Sequence, residues 1–189
     1  MKYTSFSLMG CLLVALVILP PARLVAQTPE ELMKAQAGGV KLVSVDLEEA
    51  TLPNNPQKWV KVVCKFTTEK KWTDTVSFNF EAVTNDPESS SKRLLVGGVT
   101  YMNIPKGNNT AILYITPLTV ARFGRPKSVS VSAFRGDNPI GRLEMKDSDK
   151  PTPEEQATFL RFDGALVNPR LTPWIIIDFG KTPDLAPGP

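Results

Sequence analysis

The sequence predicts a mainly β protein: an immunoglobulin-like antiparallel β-sandwich of about seven or eight strands with one or two short helices. Three observations predict it. Apolar and polar residues alternate with period two over several short stretches, as in strands with one packed and one wet face. Clusters of Gly, Pro, Asn and Asp interrupt them every roughly 8–12 residues. Once an export leader is set aside, about 160 of the 189 residues remain, enough for one domain with a real core.

Residues 1–26 read as a signal peptide. A short polar start carrying Lys2 precedes the apolar run Leu8–Leu19. Pro20 and Pro21 end that run, and Ala22–Ala26 supplies a cleavage region before Gln27. A run of about a dozen apolar residues falls short of the roughly 20 a transmembrane helix needs, so no integral span is expected after cleavage. Leu8-Met9-Gly10-Cys11 precedes its apolar stretch, whereas a lipoprotein box follows one.

Residues 27–39 form a helical lead-in. Thr28-Pro29-Glu30-Glu31 has the form of a capping box, and Gly38-Gly39 stops the helix. The sandwich domain is expected over 40–180. Val43, Val45 and Leu47 alternate with Ser44, Asp46 and Glu48 in the first strand. After the loop Pro53-Asn54-Asn55-Pro56, the residues Val60, Val62, Cys64 and Phe66 form one face of a second. The third has Val76, Phe78, Phe80 and Ala82 inward and Thr75, Ser77, Asn79 and Glu81 outward.

A polar loop over 85–91 leads to a strand at Leu94–Met102, bulged or bent at Gly97-Gly98. Pro105–Asn109 reads as a turn before a strand at Ala111–Ile115. Leu118–Phe123 is a short helical corner closed by Gly124. Val129, Val131 and Ala133 belong to a strand that Gly136–Pro139 turns into Ile140–Met145 as a hairpin. Thr152-Pro153-Glu154-Glu155 repeats the capping-box form and predicts a helix over 153–161. Trp174–Phe179 reads as a last, buried strand. Residues 181–189, with three prolines and a glycine, read as a disordered tail.

Composition excludes several chemistries. The 22 Lys and Arg against 19 Asp and Glu move closer to balance when Lys2 and Arg23 leave with the leader, so no electrostatic footprint for nucleic acid remains. There is no histidine, hence no Ser-His-Asp or Cys-His arrangement. The mature chain keeps one cysteine, Cys64, so it has neither an internal disulfide nor an ordinary zinc or copper site. No Gly-rich phosphate cradle joins a strand to a helix, and no cofactor is expected. Asp147 and Asp149 lie two apart between Lys146 and Lys150, without the Gly and Glu of a calcium loop. Asn108-Asn109-Thr110 is a glycosylation sequon that reads as a turn.

The candidate interaction residues are aromatic. Trp59 falls on the face opposite Val60, Val62, Cys64 and Phe66, and Trp72 follows the charged Glu69-Lys70-Lys71. Either ring could stack on a sugar or anchor a protein partner. Alternatively, Trp59 covers a helix or closes the end of the sandwich. Trp174 is expected in the core.

In layout, from the leader through the strand series Val43–Met145 to Trp174-Ile-Ile-Ile-Asp-Phe179, the chain resembles small exported sandwich proteins associated with bacterial type IV pili or related surface filaments. The resemblance implies a non-enzymatic structural or protein-interaction module of the periplasm or outer cell surface that contacts other envelope proteins. The alternative is a carbohydrate-binding sandwich using Trp59 or Trp72.

Overall fold

The computed structural model describes residues 39–52, 56–85, 91–145, 151–177 and 182–186. The leader, the lead-in helix and the Asp147/Asp149 pair lie outside the described residues. Among the described residues seven strands, mostly antiparallel, are organised around one long ribbon. Strand β1 (Val40–Thr51) pairs with β2 (Lys58–Asn85), and β2 pairs along nearly its whole length with β3 (Lys92–Ile115). A straight strand of 28 residues would run about 90 Å, far beyond the width of a domain of this size, whose radius of gyration is about 15 Å. The ribbon therefore folds over on itself and makes both layers of a β-sandwich, as the sequence predicts.

The fold-over lies where the β2–β3 register shifts between Thr68 and Trp72. Pro105 and Gly107, the latter at φ +112°, stand opposite the bulge. The corner is stapled by a buried side chain. Asn109 Nδ2 lies 2.9 Å from the Pro105 carbonyl, 3.1 Å from that of Gly107 and 3.2 Å from Thr68 Oγ1. Thr68 Oγ1 in turn donates to the Pro105 carbonyl. The Pro105–Asn109 turn expected from the sequence is thus a bend inside a continuous strand, and the two strands expected on either side of it are one.

The first layer contains β1, the start of β2 and the end of β3. The second contains the end of β2 and the start of β3, with β4 (Ser128–Arg135) on β2 and β5 (Asn138–Glu144) on β4. The β4–β5 hairpin is as expected. Between the layers, Val62, Cys64 and Phe66 meet Val76, Phe78, Phe80, Val99, Tyr101, Val131 and Ala133 in one buried cluster. The Phe66 and Phe78 rings lie 4.8 Å apart. The Ile112 N–H donates to the Tyr101 hydroxyl at 3.0 Å and ties one layer to the other.

Each open side is closed by a different device. One end is crossed by α1 (Pro117–Phe123), which carries the chain from β3 to β4. Thr116 caps it by accepting from the Thr119 N–H, Pro117 starts it and Gly124 ends it. On the β1 side, Leu42 lies against Gly141 of β5. On the β3 side, β6 (Leu160–Asp163) runs parallel to Arg93–Val96, after which Leu166 enters the core and Val167 exchanges backbone hydrogen bonds with Tyr114 at 2.9 and 2.7 Å. Gly97 makes this crossing possible, since a Cβ there would stand 2.3 Å from the Leu166 carbonyl oxygen. The ladder is regular through Gly97 and Gly98. These glycines mark a close approach of backbone and not the expected bulge.

Three further expectations are corrected. Val43 sits at the β1 register shift and is exposed, while Leu42 and Val45 turn inward. The capping box at Thr152 forms, with Glu155 reaching back to the Thr152 N–H, but its helix α2 (Pro153–Ala157) is shorter than expected because Leu160 already joins β3. The expected strand at Trp174–Phe179 begins instead as a helical turn, α3 (Trp174–Ile177). Pro173 presets the backbone, the Thr172 hydroxyl accepts from the Trp174 N–H, and stacking of Trp174 on Tyr114 outweighs the β-propensity of three isoleucines. The tail also contributes order: β7 (Asp184–Leu185) pairs with Tyr101 and Met102.

Candidate functional site

Trp59 lies on the outer face of the first layer, as the alternation with Val60 and Val62 requires. It is not a free platform. A second apolar cluster forms there from Ile112, Tyr114 and Trp174, flanked by Ala50, Leu52 and Trp59. The Tyr114 and Trp174 rings stack at 5.6 Å, and Trp59 meets both edge-on at 6.3 and 6.4 Å. Such pairs contribute about 0.5–1.5 kcal/mol each beyond area burial. The indole N–H groups of Trp59 and Trp174 are buried without a hydrogen-bond partner. Trp59 therefore covers the C-terminal helical turn, one of the two alternatives the sequence leaves open. Beside this cluster, Leu171 and Ile175 are 79% and 39% exposed. Sequence reasoning missed this apolar rim because its members join only when the C-terminal segment returns across the sheet.

Trp72 sits at the other feature of the ribbon, its bend, and is 58% exposed. Together with Lys70, Thr73, Asp74 and Thr75 of β2 and Arg135 and Gly136 of the β4–β5 turn, it lines a groove of about 260 Å³. Thr73 is only 2% exposed, yet its hydroxyl lacks a hydrogen-bond partner. The charged Glu69-Lys70-Lys71 marks this surface in the sequence. Arg135 carries no such signal, because the hairpin turn alone brings it there.

Two other polar groupings are accounted for by structure. On the outer face of the second layer, Arg142 bridges Glu81 (3.4 Å), Ser130 (3.1 Å) and Glu144 (3.9 Å). The cleft beside them offers about 20 Å³, room for about one water. At the surface, Lys58 and Arg125 flank Glu49 at 3.2 and 2.5 Å and hold its carboxyl below the usual range, Lys58 most strongly. Among the described residues no group of three or more acids or cysteines could hold a metal ion. No helix among them is long and apolar enough to cross a membrane. Cys64 is fully buried in the main core. Burial first, and the Asp46 carboxylate second, push its thiol up to about 12.

A protein-family model matches residues 42–136, half of the chain, and the chain belongs to that family. The matched span covers the ribbon, α1 and β4 to the Gly136 turn. Ten solved chains match in structure. One is the crystal structure of a protein from Akkermansia muciniphila, similar with a TM-score of 0.66 at 21% identity over 79% of this chain and 94% of that one. At that identity the likeness establishes the fold. The chain matches no curated protein.

Proposed function

We propose that this chain is a non-enzymatic exported module of the bacterial cell envelope that docks onto another envelope protein, as an accessory of a pilus or related surface filament. The observation that carries the reading is the apolar rim of Leu171 and Ile175 beside the Trp59–Tyr114–Trp174 cluster. Exposed aliphatic side chains bordering a packed aromatic cluster form an apolar patch of the kind that marks a protein-interaction surface. The export leader in the sequence supports the compartment. The sandwich, closed on each side by its own chain, supports a rigid structural role.

The test is a pull-down from the cell-envelope extract with identification of bound proteins, comparing the wild type with a Leu171→Glu, Ile175→Glu double variant. Filament components should be retained by the wild type and lost by the variant. Equal retention by both would remove the rim from the reading. Retention of other envelope proteins without filament components would remove the pilus assignment.

A further inference from the structure

We propose that the groove at the bend of the ribbon binds an acidic sugar, a glycan residue bearing a carboxylate or sulfate, with its ring stacked on Trp72 and its acid group held by Lys70 and Arg135. Four observations converge there. First, Trp72 is the one aromatic side chain among the described residues that is more than half exposed, and most of the other large rings pack into the apolar clusters or beside them. An indole face matches the apolar C–H face of a pyranose ring, and Trp also offers an N–H at its edge.

Second, the lining supplies what sugar hydroxyls require on all sides. Lys70 and Arg135 donate, Asp74 accepts, and Thr73 can do either. Two cations against one carboxylate favour an anionic ligand, and charge-assisted hydrogen bonds to a guanidinium are the strong ones. Third, Thr73 is almost completely buried and its hydroxyl has no partner in the chain. A buried hydroxyl without a partner is disfavoured unless something else satisfies it. Its oxygen has almost no surface open to a water-sized group, so a ligand hydroxyl would satisfy it once the lining side chains shift aside. Fourth, about 260 Å³ lies below the ~300–1,000 Å³ of pockets for drug-sized ligands, and suits a sugar residue. Gly136, at φ +57°, has open space where a side chain would stand, which keeps the turn from closing the groove.

An acidic peptide would also meet the two cations, but it has no use for the flat indole face beside Asp74. This inference is independent of the filament reading, since its residues are not those of the Leu171–Ile175 rim.

Isothermal titration of the purified protein at low salt tests it, with a glucuronic acid-terminated disaccharide and its neutral glucose-terminated counterpart as probes. The acidic disaccharide should bind at least about tenfold more tightly than the neutral one. Trp72→Ala should abolish binding of both, and Arg135→Gln should reduce the acidic probe to the affinity of the neutral one. Thr73→Val keeps the side-chain shape and loses no hydrogen bond within the chain. It should therefore weaken binding while leaving the melting temperature unchanged or raised. A Thr73 with a purely structural role would instead lower the melting temperature and leave binding alone. The inference is overturned by failure to bind either disaccharide, by equal affinity for both, by binding that survives Trp72→Ala, or by heat released only with poly-glutamate.

Discussion

Replacing Gly97 by alanine should destabilise the protein, although the same change in an ordinary strand stabilises by about 0.5–1 kcal/mol. The opposite sign follows from the crossing segment. The new Cβ would lie 2.3 Å from the Leu166 carbonyl oxygen and 2.6 Å from Leu166 Cβ. Both are firmly placed atoms, so the backbone around Leu166 must move outward. That movement withdraws Leu166 from the core, where it is 3% exposed, and burial of a leucine side chain is worth about 1.5–3 kcal/mol. It also strains the two Tyr114–Val167 hydrogen bonds, each worth about 0.5–1.5 kcal/mol net. Partial relaxation leaves an expected loss of about 2–5 kcal/mol. Urea denaturation measures it, and Gly98→Ala is the control. A Cβ at Gly98 meets the Asn79 amide oxygen at 3.1 Å, on an exposed side chain that can swing away, and the Phe78 carbonyl oxygen at 3.5 Å, an ordinary van der Waals contact. Gly98→Ala should be close to neutral. If Gly97→Ala is neutral or stabilising as well, Leu166 does not cross the strand there, and the account of how the β3 side is closed fails.

Asn109→Ala removes the donor that serves the Pro105 and Gly107 carbonyls, and should cost about 1–3 kcal/mol in urea denaturation; a loss below about 0.5 kcal/mol would show that the corner holds without its staple. Cys64 should resist alkylation in the native protein and react fully in urea. Its folded thiol stays protonated far above the ordinary value of about 9, so its contribution to stability is full below pH 9 and is lost as pH rises toward about 12. The stability advantage of wild type over Cys64→Ala should accordingly shrink across that window, and an advantage independent of pH would contradict the burial.

The faces of the strands were legible because alternation needs only neighbours in sequence. Val60, Val62, Cys64 and Phe66, and then Val76, Phe78, Phe80 and Ala82, all point inward as their period requires. The helical corner at α1, the capping box at Thr152 and the β4–β5 hairpin were legible for the same local reason. What escaped was continuity and closure. Glu69-Lys70-Lys71 and Pro105–Asn109 carry the chemistry of loops, because a sharp bend and a chain reversal use the same Gly, Pro and charged residues. Only the pairing across the bulge shows that the ladder resumes. Val43 misled by one residue, since a bulge shifts every side chain before it to the other face. The helical turn at Trp174 escaped because its cause is Tyr114, some sixty residues away. Of the two candidate tryptophans, the exposure of Trp72 could be read from its charged neighbours, whereas the burial of Trp59 depends on that same distant return of the chain.

The two surfaces built on these tryptophans also belong to different parts of the architecture. Lys70, Trp72, Thr73, Asp74, Arg135 and Gly136 all fall within residues 42–136, the span shared with the family. Leu171, Trp174 and Ile175 lie beyond it, on a segment anchored to the ribbon through the Val167–Tyr114 hydrogen bonds and the Trp174–Tyr114 stack. The groove needs only the bend and one hairpin turn, both internal to the ribbon fold. The rim needs the C-terminal return. Changes in the rim therefore leave the groove intact, and variants of Trp72 leave the rim intact. The groove thus lies wholly within the span the family model matches, while the rim lies outside it.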